Sequence, residues 1–280
     1  MKSLRVVGLG DSVTAGVGDL VPAGHTPGWA AHLAVALGAS DYLCLARTGA
    51  RMRDVVAEQL ADAVAFKPDL VTLLIGGNDV LRSDFNPVRV AREARDVCLE
   101  LTAAGSVVLV VLLHDPSKVL PRGGVAVGRV LAVRAAAVNS ALLTDLAGLP
   151  GVVVLDPQHF DMAHQRSTWH IDRMHPSAQG HRALASIAAA RLAQHGFCAV
   201  APIPPIPEQC PGPVLVAVWL VANGIPWLLR RSVDLLPELV GVVIADSRAA
   251  RARADDVGEG QSPAAMAAPS DAAAATTASA

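Results

Sequence analysis

The stretch VVGLGDSVTAGVGD, from Val6 to Asp19, begins with a short apolar run and changes at Asp11 to glycines and polar residues. The run does not alternate apolar with polar side chains, and continuous runs of this kind are typical of strands buried on both faces of a parallel sheet. Ser12 stands where this predicted strand ends. A serine in that place is either the N-cap of a following helix or a nucleophile, and the stretch alone leaves both interpretations open.

Similar apolar runs recur along the first two-thirds of the chain. They are DYLCLA, which is the weakest, DLVTLLI, SVVLVVLL and GVVVLD. Helical patterns lie between or after them: GWAAHLAVALG, MRDVVAEQLADAVAF, PVRVAREARDVCLELTAAG, VLAVRAAAVNSALLTDLAG and SAQGHRALASIAAARLAQHG. Alternating strands and helices predict an α/β fold with right-handed crossovers, in which the strand carboxyl ends share one edge where ligands bind.

The composition excludes one class of partner. The chain has 280 residues, of which 52% are hydrophobic and 17% charged, with a formal net charge of -2. Such a chain can bury a substantial core, but it has no basic excess and no dense stripe of lysine and arginine interleaved with aromatic residues. We therefore expect no nucleic acid among its partners.

The beginning of the chain and its cysteines indicate the compartment. The apolar run that follows Arg5 has only five residues before Asp11, which is too short for the apolar part of a secretory signal. The four cysteines have no C-x-x-C spacing. These features predict a cytoplasmic protein with reduced thiols and no metal site.

The residues beyond the fifth helical pattern predict four regions along the chain. The boundaries are an α/β domain at 1–196, a proline-rich linker at 197–213, a helical appendage at 214–247 and a disordered, alanine-rich tail at 248–280. Asn223, Gly224 and Pro226 divide the apolar appendage into pieces shorter than the roughly 20 residues that span a bilayer. Contact of residues 214–247 with a lipid or a membrane surface is left open.

The glycines near Ser12 do not complete a known phosphate motif. A dinucleotide fingerprint that starts at Gly8 requires glycine where Val13 stands, and no Gly-Lys-Ser or Gly-Lys-Thr completes a P-loop. The nucleophile elbow G-x-S-x-G also fails, since Thr14 occupies its last position. If Ser12 is catalytic, it belongs to another arrangement.

Three further polar segments follow predicted strands and fall at the same sheet edge. ARTGARM offers the backbone N–H of Gly49, IGGNDV offers the side-chain amide of Asn78, and WHIDRMHPSAQGH offers Asp172 and His175. Acyl transfer requires a hydroxyl nucleophile, a base, a group that orients the base, and donors aimed at the oxyanion. Together with Ser12, the segments supply one of each.

Four blocks of the sequence, in this order, resemble those of the SGNH or GDSL hydrolase superfamily. The blocks are GLGDSVTAG, the Gly49 segment, GGNDV and DRMHPS. The resemblance covers Leu4 to His195, and the segments HDPSKVLP and WL…GIPWLLRRSVDLLP resemble actinobacterial, cytoplasmic members. Val13 stands where the family's short name has leucine, which is a conservative change.

The resemblance implies a role for each of the quoted residues. Ser12 would be the nucleophile, His175 its base and Asp172 the residue that orients the base. The backbone N–H groups of Ser12 and Gly49 and the amide of Asn78 would form the oxyanion hole. No metal and no cofactor are implied.

The expected fold is a three-layer α/β/α sandwich with a flavodoxin-like, parallel five-stranded sheet and a C-terminal helical appendage. The expected function is that of a serine esterase acting on carboxylic esters of small molecules. Two alternatives remain open at this point. One is an acyltransferase that uses the same acyl-enzyme, and the other is a non-catalytic ligand-binding protein associated with a membrane surface.

Several of these residues have plainer interpretations. Asn78 could serve only in the turn after two glycines, and Asp172, beside Arg173, could be a surface charge. His175 is preferred over the other histidines because Asp172 and a following proline fit the block. The competing histidines are His114, His170 and His181. Of these, His114 follows the fourth predicted strand, SVVLVVLL, and it is expected either to line the substrate pocket or to have a structural role.

Overall fold

The computed structural model describes residues 3–22, 25, 27–118 and 125–206, with short pieces at 212, 218–219, 222, 240–241, 243–245 and 247–248. A single five-stranded sheet lies at the centre of this part of the chain. Its strands are β1 (Arg5–Gly10), β2 (Asp41–Cys44), β3 (Leu70–Leu74), β4 (Val107–Val111) and β5 (Val152–Leu155). All strand pairs are parallel, and the order across the sheet is β2-β1-β3-β4-β5.

The helices follow the strands in alternation. They are α1 (Trp29–Ala36), α2 (Met52–Glu58), α3 (Leu60–Phe66), α4 (Pro87–Ala103), α5 (Val125–Asp145) and α6 (Ala178–Ala193). One apolar core packs α2 to α5 against one sheet face, and a second packs α1 and α6 against the other. The α/β/α sandwich expected from the continuous apolar runs is therefore confirmed. Helices cover both faces of the sheet, so the strands carry apolar side chains on both sides.

One predicted helix is in fact two. The pattern MRDVVAEQLADAVAF indicates a single helix, but the structure ends α2 at Glu58 and begins α3 at Leu60. Gln59, between them, is fully buried, and its side-chain amide bonds the N–H and the carbonyl of Gly10 at 2.9 Å each. The break lets one glutamine bond both backbone groups at the end of β1: Gln59 accepts the N–H of Gly10, which would be costly to bury unpaired, and it shares the carbonyl with the N–H of Arg47.

The residues after α6 continue along the domain surface. The N–H groups of Val200 and Ala201 donate to the carbonyl of Ala36 at the end of α1. Beyond residue 206 only short pieces of the expected linker, appendage and tail are among the described residues, so the boundaries at 196, 213 and 247 stay predictions. Within the part of the chain that is described, no helix is both long enough and apolar enough to cross a bilayer.

Candidate active site

The predicted site residues come together at one edge of the sheet. Ser12 follows β1, Gly49 follows β2, Asn78 follows β3, and His175 lies in the segment between β5 and α6. Because the strands are parallel, their carboxyl ends all reach this edge. The sheet thus assembles groups that are far apart in sequence.

Ser12, His175 and Asp172 form a continuous line of contacts. Ser12 Oγ lies 2.8 Å from His175 Nε2, and His175 Nδ1 lies 2.8 Å from Asp172 Oδ2. A carboxylate accepts a proton donor, so the Nδ1 of His175 carries the hydrogen and its Nε2 is left to accept from the serine hydroxyl. The other carboxylate oxygen, Asp172 Oδ1, accepts the backbone N–H groups of Met174 and His175 at 2.9 and 3.1 Å.

These contacts keep Asp172 ionised. Burial alone would raise the pKa of its carboxyl, but the contacts with His170 and His175, the charge of His175 and the N–H of Met174 outweigh burial. The pKa of Asp172 therefore lies well below its usual range. A permanent negative charge beside Nδ1 orients the imidazole of His175.

Two backbone N–H groups at this edge of the sheet have no acceptor within the described part of the protein. Throughout the described residues, neither the N–H of Ser12 nor that of Gly49 donates a hydrogen bond to the protein. Gly49 has a φ of +85°, a conformation that L residues with a side chain rarely adopt, and a Cβ built there would meet nothing within 4 Å. Glycine at 49 therefore lets the chain turn and leaves the approach to its N–H open.

The amide of Asn78 is directed toward the same region and is already bonded. Its Nδ2 donates to the carbonyl of Ala50 at 3.0 Å and to Asp11 Oδ2 at 3.3 Å. Asp11 is buried, and burial raises the pKa of its carboxyl to about 6 despite the N–H of Val13 and the charge of His175. Two acceptors on one side of the amide fix which way Asn78 faces, since its oxygen would repel both.

The histidines that compete with His175 lie in different surroundings. His181 is fully buried, and its Nδ1 accepts the N–H of Trp29 while its Nε2 contacts the carbonyl of Val17 at 3.0 Å. Burial lowers its pKa to about 4, so it is neutral near pH 7. His170 Nδ1 lies 3.1 Å from Asp172 Oδ2 without forming a hydrogen bond. The ring of His170 also meets the ring of Trp219 edge to face.

His114 packs on an aromatic ring. Its centroid is 4.1 Å from that of Trp169, with the planes tilted by 42°. Burial lowers the pKa of His114 to about 4 against the opposing charge of Asp115. A structural role is therefore evident for His114, and a contact with substrate stays a prediction. No set of three His, Cys, Asp or Glu side chains within the described ranges is arranged to hold a metal ion.

The sequence patterns did not indicate several buried polar residues that bond the loops around the site. Gln59 occupies a core-facing position of an otherwise apolar helical stripe, with Met52, Val55 and Ala63 on the same side. A glutamine at such a position is a signal that it bonds a buried backbone group. The other missed residues are Asp11, Arg51 and Asp79, which are charged and nearly inaccessible.

Comparisons with known proteins agree with this architecture. A family model described as the GDSL-like Lipase/Acylhydrolase family matches residues 9–183. No curated protein matches the sequence.

Solved structures resemble this chain at low identity. They include Axe2, an acetylxylan esterase from Geobacillus stearothermophilus, at 19% identity over 68% of this chain and 94% of that chain, with a TM-score of 0.52. The psychrotrophic esterase EstA from Pseudoalteromonas sp. has 15% identity over 68% and 97%, with a TM-score of 0.52. A putative GDSL-like lipase from Parabacteroides merdae has 14% identity over 70% and 97%, with a TM-score of 0.55. At such identities the likeness shows a shared fold.

Proposed function

The chain belongs to the GDSL-like lipase/acylhydrolase family and is a hydrolase of the SGNH type, and we propose that it cleaves carboxylic esters through an acyl-enzyme formed on Ser12. The observation that carries this proposal is the pair of 2.8 Å contacts that link Ser12 Oγ to His175 and His175 to Asp172. A hydroxyl, a base and an orienting carboxylate in this order are the requirements of serine acyl transfer.

The reaction follows from the positions of the protons. As Ser12 Oγ bonds to the ester carbonyl carbon, its proton passes to His175 Nε2 and the carbonyl electron pair moves onto oxygen. The tetrahedral intermediate then collapses, the bond to the leaving alcohol breaks, and His175 gives its proton to that alcohol. A water molecule repeats the sequence on the acyl-enzyme, releases the acid and restores Ser12.

The negative oxygen of the intermediate is held by three donors. The backbone N–H groups of Ser12 and Gly49 have no other partner within the described residues. The amide of Asn78 supplies the third donor by sharing the hydrogen of its longer contact, the one with Asp11 at 3.3 Å. Preorganised donors of this kind act only on charge that develops during the reaction, so they lower the barrier.

The test compares wild type with Ser12→Ala on p-nitrophenyl esters from acetate to palmitate. The variant is expected to lose at least about a thousandfold in kcat, because nucleophile and base work as a unit. Ser140→Ala is the matched control, since Ser140 is an exposed serine on α5. Equal rates in wild type and Ser12→Ala would exclude Ser12 as the nucleophile.

The same assay separates hydrolysis from acyl transfer to an alcohol. Hydrolysis yields one equivalent of acid per p-nitrophenol released, whereas transfer to added 1-hexanol yields the hexyl ester instead. We expect the acid to remain the main product, with the ester series reporting which acyl length the site accepts. A hexyl ester as the main product at low alcohol concentration would identify an acyltransferase.

A further inference from the structure

Two of the oxyanion donors lie on separate loops, and their relative position has to be set by contacts between those loops. Gly49 precedes α2, whereas Asn78 follows β3. The hydrogen bond from Asn78 Nδ2 to the carbonyl of Ala50 joins them at 3.0 Å. That bond uses one of the two hydrogens of the Asn78 amide and the other is left for the substrate, so this contact is a single hydrogen bond between the loops.

A second connection lies one residue further along each loop. Arg51 Nε donates to Asp79 Oδ1 at 3.3 Å, and the backbone N–H of Met52 donates to Asp79 Oδ2 at 3.0 Å. The side chains of Arg51 and Asp79 are only 5% and 3% exposed. Both carboxylate oxygens of the residue next to Asn78 are thus bonded to the segment that carries Gly49.

The guanidinium of Arg51 is itself fixed from the other side. Its two terminal nitrogens donate to the carboxylate of Asp84 at 3.2 and 2.8 Å, in a two-pronged contact. The backbone N–H of Arg51 donates to Asp54 Oδ2 at 2.8 Å at the start of α2. Arg51 therefore has little freedom to follow Asp79 if that loop moves, and the pair resists displacement of either loop.

Burial of such a pair is a poor way to gain stability. Removing both charges from water is costly, and apolar side chains of similar size often serve the fold as well or better. Burial raises the pKa of Asp79, although the N–H of Met52 and the charge of Arg51 oppose this rise. What a buried ion pair offers over apolar packing is directional geometry, and here the geometry joins two donors of one site.

We propose that Arg51 and Asp79 are positioning residues that set the spacing between the N–H of Gly49 and the amide of Asn78. This inference rests on the proposed esterase function. It assigns to the two residues no contact with substrate. A shift of about 1 Å in a catalytic group can lower a rate by roughly a hundredfold, so loosening the pair should act on kcat.

The test is a double-mutant cycle with Asp79→Asn and Asn78→Ala, measured on the best p-nitrophenyl ester. Asparagine at 79 still accepts the N–H of Met52 but lacks the charge that Arg51 requires. In the otherwise wild-type enzyme we expect D79N to lower kcat by roughly 10- to 100-fold with KM changed less than about threefold. In the N78A background, D79N should lower kcat by less than about threefold, because the group it positions is gone.

Arg53→Gln is the matched control. It removes one positive charge two residues after Arg51, and Arg53 contacts Asp84 and Asp54 only at 3.7 Å from an exposed position. Its kcat should stay within about twofold of wild type. Thermal unfolding of every variant separates loss of fold from loss of position. If D79N does not fold, Arg51→Lys replaces it, since lysine keeps the charge but cannot bond two carboxylates in fixed directions.

The outcomes are distinct. A fall in kcat that needs Asn78 supports the inference. An equal fall in both backgrounds, or an unchanged kcat in a folded D79N or R51K variant, overturns it while the esterase function stands. A wild type whose ester hydrolysis survives Ser12→Ala, or that hydrolyses none of the esters, would overturn the proposed function and the inference with it.

Discussion

At the scale of single residues, the pKa values of Asp172 and Asp11, two carboxyl groups of the site, are shifted in opposite directions. Contacts with histidines hold the pKa of Asp172 below its usual range, whereas burial raises that of Asp11 to about 6. Asp172 therefore stays charged over the whole pH range in which an imidazole titrates. Asp11 loses its charge on mild acidification, which weakens the hydrogen bond that its carboxylate accepts from the amide of Asn78.

Asp172→Asn should lower kcat by roughly 10²- to 10⁴-fold at pH 7.5. An amide oxygen can still accept the hydrogen of His175 Nδ1, but it carries no charge to stabilise the imidazolium. The measurement is kcat on the p-nitrophenyl esters, with Asp62→Asn, an exposed residue of α3, as control. His170→Gln should have a much smaller effect, since His170 touches Asp172 but not Ser12. A larger loss in H170Q than in D172N would contradict the roles given to the two histidines.

The residues at strand ends could be predicted from the sequence, and their supports could not. Ser12 and Asn78 come soon after apolar runs, so the parallel sheet brings them to one edge, and His175 reaches that edge on the segment between β5 and α6. The pairing of Arg51 with Asp79 depends on how two loops approach across that edge. No periodicity encodes this approach, and a charged residue in a loop is exposed more often than buried.

At the scale of elements, a side-chain N-cap begins α6 close to His175. Ser177 Oγ accepts the N–H of Gly180 at 3.2 Å and donates to the carbonyl of Ser167 at 2.6 Å. Asn86 caps α4 in a comparable way, accepting the N–H of Arg89 at 3.0 Å, but at an exposed site. The two caps therefore form a natural pair for comparison.

Ser177→Ala and Asn86→Ala should each cost about 1 kcal/mol of stability, within a range of roughly 0.5–2 kcal/mol. Thermal unfolding would show this as a Tm lower by roughly 2–4 °C. Only S177A should also lower kcat, by a few-fold, because the capped turn lies two residues after His175. Equal kcat values in the two variants would mean that the cap of α6 does not help to place the histidine.

A helix boundary is predicted correctly where a proline marks it. It is missed where a buried side chain interrupts the helical pattern. Pro87 begins α4 as expected. The division of residues 52–66 at Gln59 follows from a bond to Gly10, 49 positions away in the chain. A helical pattern contains no information about such a distant partner, so the sequence indicates one helix where the fold makes two.

At the scale of the whole molecule, two neutral histidines make stability depend on pH. Burial lowers the pKa values of His114 and His181 to about 4, below the unfolded value of 6.5. Between these values the unfolded chain binds protons that the native protein does not, so stability falls as pH falls from about 6.5 to 4. Asp11, with its raised pKa, gains stability on protonation over part of this range and offsets some of the loss.

His114→Phe should reduce this pH dependence. Phenylalanine keeps an aromatic ring against Trp169 and removes one titrating group, worth up to about 3 kcal/mol between pH 7 and 4. Urea unfolding at a series of pH values measures the slope directly. An unchanged slope would show that His114 does not stay neutral in the native state. A changed KM in the same variant would support the predicted contact of His114 with substrate.

The hydrogen bond between Ser12 and His175 joins residues 163 positions apart in the chain, which has a consequence for synthesis. The ribosome makes β1 and Ser12 well before the partner strand β3 and His175 emerge. Closing so long a loop is entropically costly until the intervening strands have paired. With Ser12 and His175 in their proposed roles, a nascent chain stays inert toward esters until α6 has left the exit tunnel, and the first turnover in a cell-free translation would mark the moment at which the two residues meet.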